Sequence, residues 1–212
     1  MTQAPSHPRL EELIAVLHRL RAPGGCAWDR EQTHASLVQY LIEESWELVD
    51  AIEAGDDAEQ LEELGDVLYQ VLFHADIAAE AGRFTIEDIA EHMTAKMVGR
   101  HPHVFGDVVA ETADAVVANW ETYKAAEKPG RTSVLDGIPQ RMPALLLAAK
   151  LVGRAERAGV LVEPTPIPES EDELGRELLS IAAAARAKGL DAERALRTAL
   201  RGLQDDIRAT EG

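Results

Sequence analysis

The chain has 212 residues, of which 46% are hydrophobic and 4% aromatic, and it carries a formal net charge of −17. A charge of this sign repels phosphate backbones and anionic lipid, so we expect neither a nucleic-acid polymer nor a membrane surface as a partner. The one cysteine, Cys26, excludes an intramolecular disulfide and favours a reducing, cytoplasmic setting. The first ten residues lack the basic and apolar regions of a secretion signal, and no apolar run is as long as a membrane span.

Helical periodicity organises the first part of the chain. Leucines at helical spacing predict a first helix over 9–21, which a Pro-Gly-Gly segment ends. A loop with Trp28 follows, and a second helix is predicted over 33–54. The apolar stripe of that helix comprises Leu37, Leu41, Leu48 and Ile52. Glu44 falls in the same stripe, and a carboxylate that faces a core is costly unless it is paired or bound to metal.

The remaining segments also have helical patterns. A third helix, capped by Asp56 or Asp57, is predicted to end near Gly82, with Leu61, Leu64, Leu68, Val71 and Leu72 as its apolar residues. Thr85 and Asp88 have the spacing of a capping box, which begins a fourth helix. Further helices are predicted over 112–127, 143–159, 171–188 and 191–209, and HPHVFGD is predicted to be a loop. Strand patterns are absent from the sequence, so we expect an all-α fold.

The second and third helices carry acidic clusters without nearby cations. These clusters consist of Glu43, Glu44 and Glu47 on one helix and Glu62, Glu63 and Asp66 on the other. No Lys or Arg occurs between Arg30 and Arg83, whereas fourteen Asp and Glu residues do. Like charges three or four residues apart destabilise a helix by roughly 0.2–0.5 kcal/mol per pair. If the helices pack antiparallel, four carboxylates meet in one volume, which suits Mg²⁺ or Mn²⁺ and a phosphoanhydride substrate.

Acidic helices of this kind also occur without a magnesium site. An ordinary solvated face would account for each carboxylate taken singly, but not for Glu44 within an apolar stripe. A di-iron carboxylate bundle also uses acidic helices, but it requires two Glu-x-x-His motifs. Only the segment from Glu31 to His34 fits that motif, so we favour a divalent metal site of the magnesium type.

Residues that could serve such a site also lie outside the acidic helices. Lys96 and Arg100, four residues apart, could hold phosphate oxygens or be ordinary surface cations. Trp120 could stack on a base, although a core role is more usual for a tryptophan at helical spacing. Trp28, in a glycine-rich loop, is either a nucleotide contact or a plug for the loop.

These residues match a known pattern. Glu43-Glu44-x-x-Glu47 followed by Glu63-x-x-Asp66 resembles the EExxE…ExxD signature of the MazG family of nucleoside triphosphate pyrophosphohydrolases. The segments GGCAWDREQTH, ELGDVLYQVLFHADIA, GRF, KMVGRHPHVFGD and NWETYK extend the resemblance over about 8–128. The resemblance implies an all-α bundle that forms a homodimer or a higher homo-oligomer. It also implies Mg²⁺-dependent hydrolysis of a nucleoside triphosphate to the monophosphate and pyrophosphate, which is often described as cleansing of the nucleotide pool.

The resemblance further implies a role for each matching residue. The metal ligands that it implies are Glu44, Glu47, Glu63 and Asp66. The catalytic residues, which would orient the attacking water, are Glu43 and Glu47. The substrate contacts are Lys96, Arg100, Trp120, Lys124 and Trp28. The alternative to an enzyme is a non-catalytic nucleotide sensor or interaction bundle descended from one.

A short sequence motif that occurs twice indicates a second, degenerate repeat. The ELGD of 63–66 recurs as ELGR at 173–176, and an apolar helix follows both copies. The second copy lacks the Asp and the preceding acidic helix, and a chance match of four residues is the alternative. We therefore expect a catalytic domain over 1–128, a linker over 129–142 and an inactive helical C-terminal region over 143–212.

Overall fold

The computed structural model describes residues 7–108, 132–163 and 166–211, together with five isolated positions between 109 and 131. Its helices are α1 (Pro8–Arg21), α2 (Ala27–Glu31), α3 (Val38–Ala54), α4 (Asp57–Glu80), α5 (Ile86–Arg100), α6 (Pro102–Phe105), α7 (Ala144–Arg157), α8 (Glu171–Ala187) and α9 (Ala192–Glu211). The described residues contain no strand, so the predicted all-α fold class is confirmed. None of these helices is long and apolar enough to cross a membrane. Most of the helix predicted over 112–127, including Trp120 and Lys124, lies outside the described residues.

Local capping sets the ends of the helices around the acidic clusters. Gly55 ends α3 in the left-handed conformation, with φ of 69°, which glycine adopts without a steric penalty. The Asp56 side chain caps α4 by accepting hydrogen bonds from two backbone N–H groups of the first turn. Thr85 and Asp88 form the reciprocal capping box at the start of α5. These predictions are confirmed, and each depends on residues within one helical turn.

Three segments differ from the predicted ones. Trp28 belongs to the short helix α2 rather than to a loop. Helix α3 begins at Val38 and not near Thr33, because Thr33 and Ser36 exchange side chain–backbone hydrogen bonds and close a separate turn. The HPHVFGD segment, predicted as a loop, contains the one-turn helix α6.

The chain divides into two compact units, before and after residue 120, and the first has its core between α1, α3 and α4. The buried apolar residues of this core are Leu17, Leu37, Leu72 and Phe73. Arg21 of α1 is also buried, and it forms ion pairs with Asp76 at 2.8 Å and Glu80 at 2.6 Å, both on α4. It donates a further hydrogen bond of 2.7 Å to the Asp29 carbonyl. A buried guanidinium needs such partners, so this network fixes α1 and α2 on α4.

The apolar residues of the α3–α4 hairpin are divided between the core and the surface. The inward stripe of α3 and its N-cap residue consists of Leu37, Leu41, Glu44, Leu48 and Ala51. Ile52, predicted for this stripe, is 55% exposed, and that assignment is wrong because Ala51 occupies the inward position. On α4 Leu72 is buried, whereas four residues predicted for the same stripe, Leu61, Leu64, Leu68 and Val71, are 39–76% exposed. Helical spacing identifies an apolar face but not the surface that covers it.

The second compact unit is built around α7 and α9. Its core residues are Leu135, Ile138, Ala144, Leu147, Leu151, Ala155, Leu200 and Ile207. Leu135 and Ile138 belong to the segment 129–142, which the sequence predicts as a linker. Arg197 of α9 fixes this segment by donating to two of its carbonyl groups, both at 2.9 Å. The described part of the segment is therefore packed into the second unit.

Candidate functional site

Three of the expected metal ligands converge between α3 and α4. Glu44, Glu63 and Asp66 each offer one carboxylate oxygen, and these oxygens all lie within 4.8 Å of one another. Within the residues that the structure describes, no second group of three His, Cys, Asp or Glu side chains meets this condition. Oxygen ligands on opposite sides of a Mg²⁺ ion lie about 4.2 Å apart, so small rotations of these side chains would let them share one ion.

Glu47, the fourth expected ligand, lies beside these three residues. It is one turn after Glu44 on α3, and its carboxyl group is close enough to raise the pKa of Glu44. Its charge also acts on Glu63 of the neighbouring helix. Glu43 precedes Glu44 and is exposed to solvent. The structure therefore brings four carboxylates together, which we call the acidic cluster: Glu44, Glu47, Glu63 and Asp66.

The electrostatics of the acidic cluster favour a bound cation. Partial burial, followed by the charge of Asp66 and the contact with Glu47, raises the pKa of Glu44. Partial burial, followed by the charges of Glu47 and Asp66, raises the pKa of Glu63 as well. The Oε2 atom of Glu63 is buried and has no hydrogen-bond partner among the described residues, which is unfavourable for a carboxylate oxygen. A divalent cation would neutralise the repulsion and contact this oxygen, so the residues present fit Mg²⁺ or Mn²⁺.

The expected substrate contacts that the structure describes lie on α5 and α2. Lys96 is half-buried on α5, and Arg100, one turn later, is only 7% exposed. Arg100 also has interactions within the protein, so it is not an ordinary surface cation. Trp28 of α2 is 49% exposed, and its ring is edge-on to Tyr40 with 5.8 Å between centroids. Part of the indole is thus accessible for stacking.

A pair of histidines in the first unit gives no signal in the sequence, because His34 and His74 are 40 residues apart. Their Nδ1 atoms lie 2.7 Å apart, and their rings stack with 5.0 Å between centroids. Arg83 donates a hydrogen bond to Nε2 of His34. Because a guanidinium can only donate, the proton of His34 lies on Nδ1 and is donated to Nδ1 of His74. Both rings are therefore neutral in this arrangement.

Acidification should destabilise the protein through His74. Burial, together with His34, lowers the pKa of His74, so the folded chain binds fewer protons than the unfolded chain once the pH falls below about 6.5. This contribution to the free energy of unfolding is retained above that pH and is lost progressively below it, by about 1.4 kcal/mol per unit of pKa difference. In thermal unfolding between about pH 7.5 and pH 5, His74→Gln should lose less stability than the wild type. His92→Gln, exposed on α5, is the control, and an equal benefit there would contradict the assignment.

Comparison with known proteins places these helices in a family. The family model for MazG, described as the MazG nucleotide pyrophosphohydrolase domain, matches residues 32–105. The chain is 51% identical over 206 residues to an uncharacterized 26.1 kDa protein in the blaB 3′ region of Streptomyces cacaoi, which covers 96% of this chain and 83% of that protein. It is 40% identical over 220 residues to the nucleoside triphosphate pyrophosphohydrolase/pyrophosphatase MazG of Thermotoga maritima, which covers 95% of this chain and 85% of that protein.

The chain also matches a third relative, over a smaller share of that relative's length. The chain is 42% identical over 154 residues to the nucleoside triphosphate pyrophosphohydrolase of Escherichia coli, which covers 71% of this chain and 59% of that protein. The matched family range contains α3, α4 and α5, and thus the whole acidic cluster. The likeness to the Thermotoga protein continues through most of both chains. The chain therefore belongs to the MazG family.

Proposed function

We propose that this protein is a Mg²⁺-dependent nucleoside triphosphate pyrophosphohydrolase, which converts a nucleoside triphosphate and water to the nucleoside monophosphate and pyrophosphate. The observation that carries the proposal is the acidic cluster, three of whose carboxylates lie within 4.8 Å of one another in a stretch without Lys or Arg. Relatives named for this activity support the same reaction. Removal of unwanted nucleotides from the cellular pool is the biological role that we propose.

The residues of the site divide into three groups in this mechanism. The metal ligands are Glu44, Glu47, Glu63 and Asp66. A bound Mg²⁺ ion supplies neutralisation of the phosphate oxygens and a lowered pKa for bound water. Glu43 and Glu47 orient the water and accept its proton. The substrate contacts are Lys96 and Arg100 for the phosphate oxygens, with Trp28, Trp120 and Lys124 beside the nucleoside.

The reaction forms one bond and breaks one bond. The water oxygen bonds to the α or the β phosphorus, and the bond from that phosphorus to the oxygen between them breaks. Either route gives the same products, because the bridging oxygen stays with the fragment whose phosphorus the water did not attack. Cations placed at the phosphates stabilise the charge that develops on the leaving group.

A product assay tests this function. The protein is incubated with Mg²⁺ and several ribo- and deoxyribonucleoside triphosphates, and pyrophosphate and orthophosphate are measured separately. We expect pyrophosphate from the wild type and none from Glu47→Ala, whereas Glu87→Ala, an exposed acid on α5, should retain activity. Orthophosphate alone would indicate a phosphatase. No turnover of any nucleotide would favour the non-catalytic nucleotide sensor.

Metal binding should be measurable without turnover. Glu44→Gln removes one negative charge from the acidic cluster and so relieves part of its repulsion. Because solvent screens this repulsion, the gain in the free energy of unfolding is about 0.5 kcal/mol. The Tm of the metal-free protein should therefore rise by roughly 1–2 °C. Mg²⁺ at about 100 times its Kd stabilises a folded protein by about 2.7 kcal/mol, or roughly 5 °C or more at this size. We expect that shift in the wild type and a much smaller one in Glu44→Gln by calorimetry. An equal Mg²⁺ shift in both proteins would place the metal elsewhere.

We also propose that the α3–α4 hairpin forms the contact between two copies in a homodimer. The exposed apolar residues of the two helices, which we call the hairpin face, are Val38, Ile42, Trp46, Val49, Ile52, Leu61, Leu64, Leu68 and Val71, each 36–76% exposed. A patch of this kind is typical of a protein interface. Gly65 lies among the exposed leucines, and a Cβ atom there would meet no atom within 4 Å. A glycine within a helix lowers the stability of that helix by about 1 kcal/mol relative to alanine. Close approach by a partner helix would account for a glycine at this position.

A further inference from the structure

Two oxygen atoms on α4 are buried without a hydrogen-bond partner. Among the side chains that the structure describes, Oε2 of Glu63 and Oε1 of Gln70 are the buried polar atoms in this condition. Gln70 is only 7% exposed, and a buried amide oxygen is unfavourable unless some group donates to it. Gln204, which is buried to a similar degree, has its amide hydrogen-bonded to Gln140. Gln70 therefore lacks a donor that a buried glutamine normally has.

Gln70 lies on the same face of α4 as the ligands of the acidic cluster. It follows Glu63 by seven residues and Asp66 by four, which are spacings of about two turns and one turn. Long side chains of a helix point back toward its N-terminus. The amide of Gln70 is therefore directed toward Asp66, whose position is about 6 Å away along the helix axis. Both unpartnered oxygens thus border the volume between the carboxylates.

The missing donor is of a kind that a bound cation supplies. Mg²⁺ and Mn²⁺ keep several water molecules when they bind to carboxylates. The hydrogens of such a water molecule point away from the ion, and the charge of the ion makes the water a stronger donor. The amide oxygen of Gln70 is one turn beyond the carboxylate of Asp66, which suits contact with a water molecule rather than with the ion itself.

We propose that Gln70 is a positioning residue for the metal ion, whose coordinated water donates a hydrogen bond to the Gln70 amide oxygen. The inference rests on the proposed function, because it takes the acidic cluster to hold that ion. Outer partners of this kind change metal affinity or activity by roughly 10–100-fold. A water molecule held by the protein alone would satisfy the same oxygen, but it would leave the metal affinity independent of Gln70.

Gln70→Met tests this role, because methionine has nearly the same length and no amide oxygen. Without metal, the Tm should rise by about 2–4 °C, since a buried oxygen without a partner is removed. The Kd for Mn²⁺ should nevertheless rise about 10-fold, measured from the electron paramagnetic resonance signal of free Mn²⁺. A glutamine that only supports the fold would give a lower Tm and an unchanged Kd on the same replacement.

Gln70→Glu separates an accepting role from a donating one. The carboxylate accepts hydrogen bonds and cannot donate them, so the Kd for Mn²⁺ should equal the wild-type value or fall below it. A Kd as high as that of Gln70→Met would show that the amide donates, which would overturn the assignment. Gln60→Met is the matched control on α4. Gln60 donates to the Ala51 carbonyl at 3.5 Å, so its replacement should leave the Kd for Mn²⁺ unchanged and should not raise the Tm.

Metal binding and hydrolysis are measured on the same full-length proteins, so that the two proposals can fail separately. The role of Gln70 is overturned if the Kd for Mn²⁺ in Gln70→Met rises no more than in Gln60→Met, even when the wild type releases pyrophosphate. A wild type that releases no pyrophosphate would overturn the proposed function. A rise of about 10-fold in the Kd of Gln70→Met would still support the role of Gln70 in that case.

Discussion

Replacement of Asp66 by alanine should lower pyrophosphate release by at least about 100-fold. Loss of a residue that only hydrogen-bonds to a metal ligand already lowers metal affinity or activity by roughly 10–100-fold, and loss of a ligand itself should cost more. Asp66 contributes one of the three carboxylate oxygens that lie within 4.8 Å of one another, and its charge raises the pKa of Glu44. Without it the remaining carboxylates would hold a divalent ion weakly. The loss should appear in kcat/KM for a single nucleoside triphosphate at fixed Mg²⁺.

The matched control lies at the corresponding position of the proposed second repeat. Arg176 occupies the place of Asp66 in ELGR, and it forms an exposed ion pair with Asp172 on its own helix. Pairs of this kind contribute about 0.3–0.5 kcal/mol, so Arg176→Ala should leave both folding and hydrolysis intact. Asp66→Asn, which keeps the side-chain volume, separates loss of charge from loss of packing. Equal loss of activity in Asp66→Ala and Arg176→Ala would contradict the proposal that the acidic cluster is the single active site.

The features that the sequence predicts well are those with local causes. Gly55 ends α3, Asp56 caps α4, and Thr85 with Asp88 begins α5, because each depends on backbone groups within one turn. The convergence of the acidic cluster also follows from local information. Carboxylates three residues apart share a helix face, and a two-residue connection between α3 and α4 sets those faces side by side.

The features that the sequence leaves open depend on what packs against a face. Ile52 and Ala51 are adjacent, and only the position of α4 decides that Ala51 is buried and Ile52 is not. The apolar residues Leu135 and Ile138 sit among Gly and Pro, which predict turns but not the insertion of these side chains into a core. Arg100 likewise resembles a surface cation in the sequence, and its burial arises from tertiary packing.

Long-range polar contacts leave no periodic signal at all. His34 and His74 are 40 residues apart, and the ion pair between Arg21 and Asp76 joins α1 to α4 across 55 residues. Spacing arguments compare neighbours within one helix, so they cannot detect such pairs. These contacts join α1 and the turn before α3 to α4.

Two polar substitutions on the hairpin face should dissociate the proposed homodimer. Ile42 and Val49 are 53% and 36% exposed on α3, so replacing both by Gln changes little in the folded monomer. Central apolar contacts of an interface are often worth more than 1 kcal/mol each, and together these two should raise the Kd by roughly 100-fold. Sedimentation equilibrium measures the change. Leu161→Gln, at a position 75% exposed outside the hairpin face, is the matched control.

Gly65→Leu separates a blocked interface from a damaged fold. Leucine has a better helix propensity than glycine by about 0.8 kcal/mol, and space is open at that position, so the monomer should become more stable. The added side chain nevertheless occupies the room that a partner helix would need. The Kd of the dimer should therefore rise while the free energy of unfolding of the monomer increases. A Gly65→Leu protein that dimerises as well as its parent would show that no helix approaches α4 at this point.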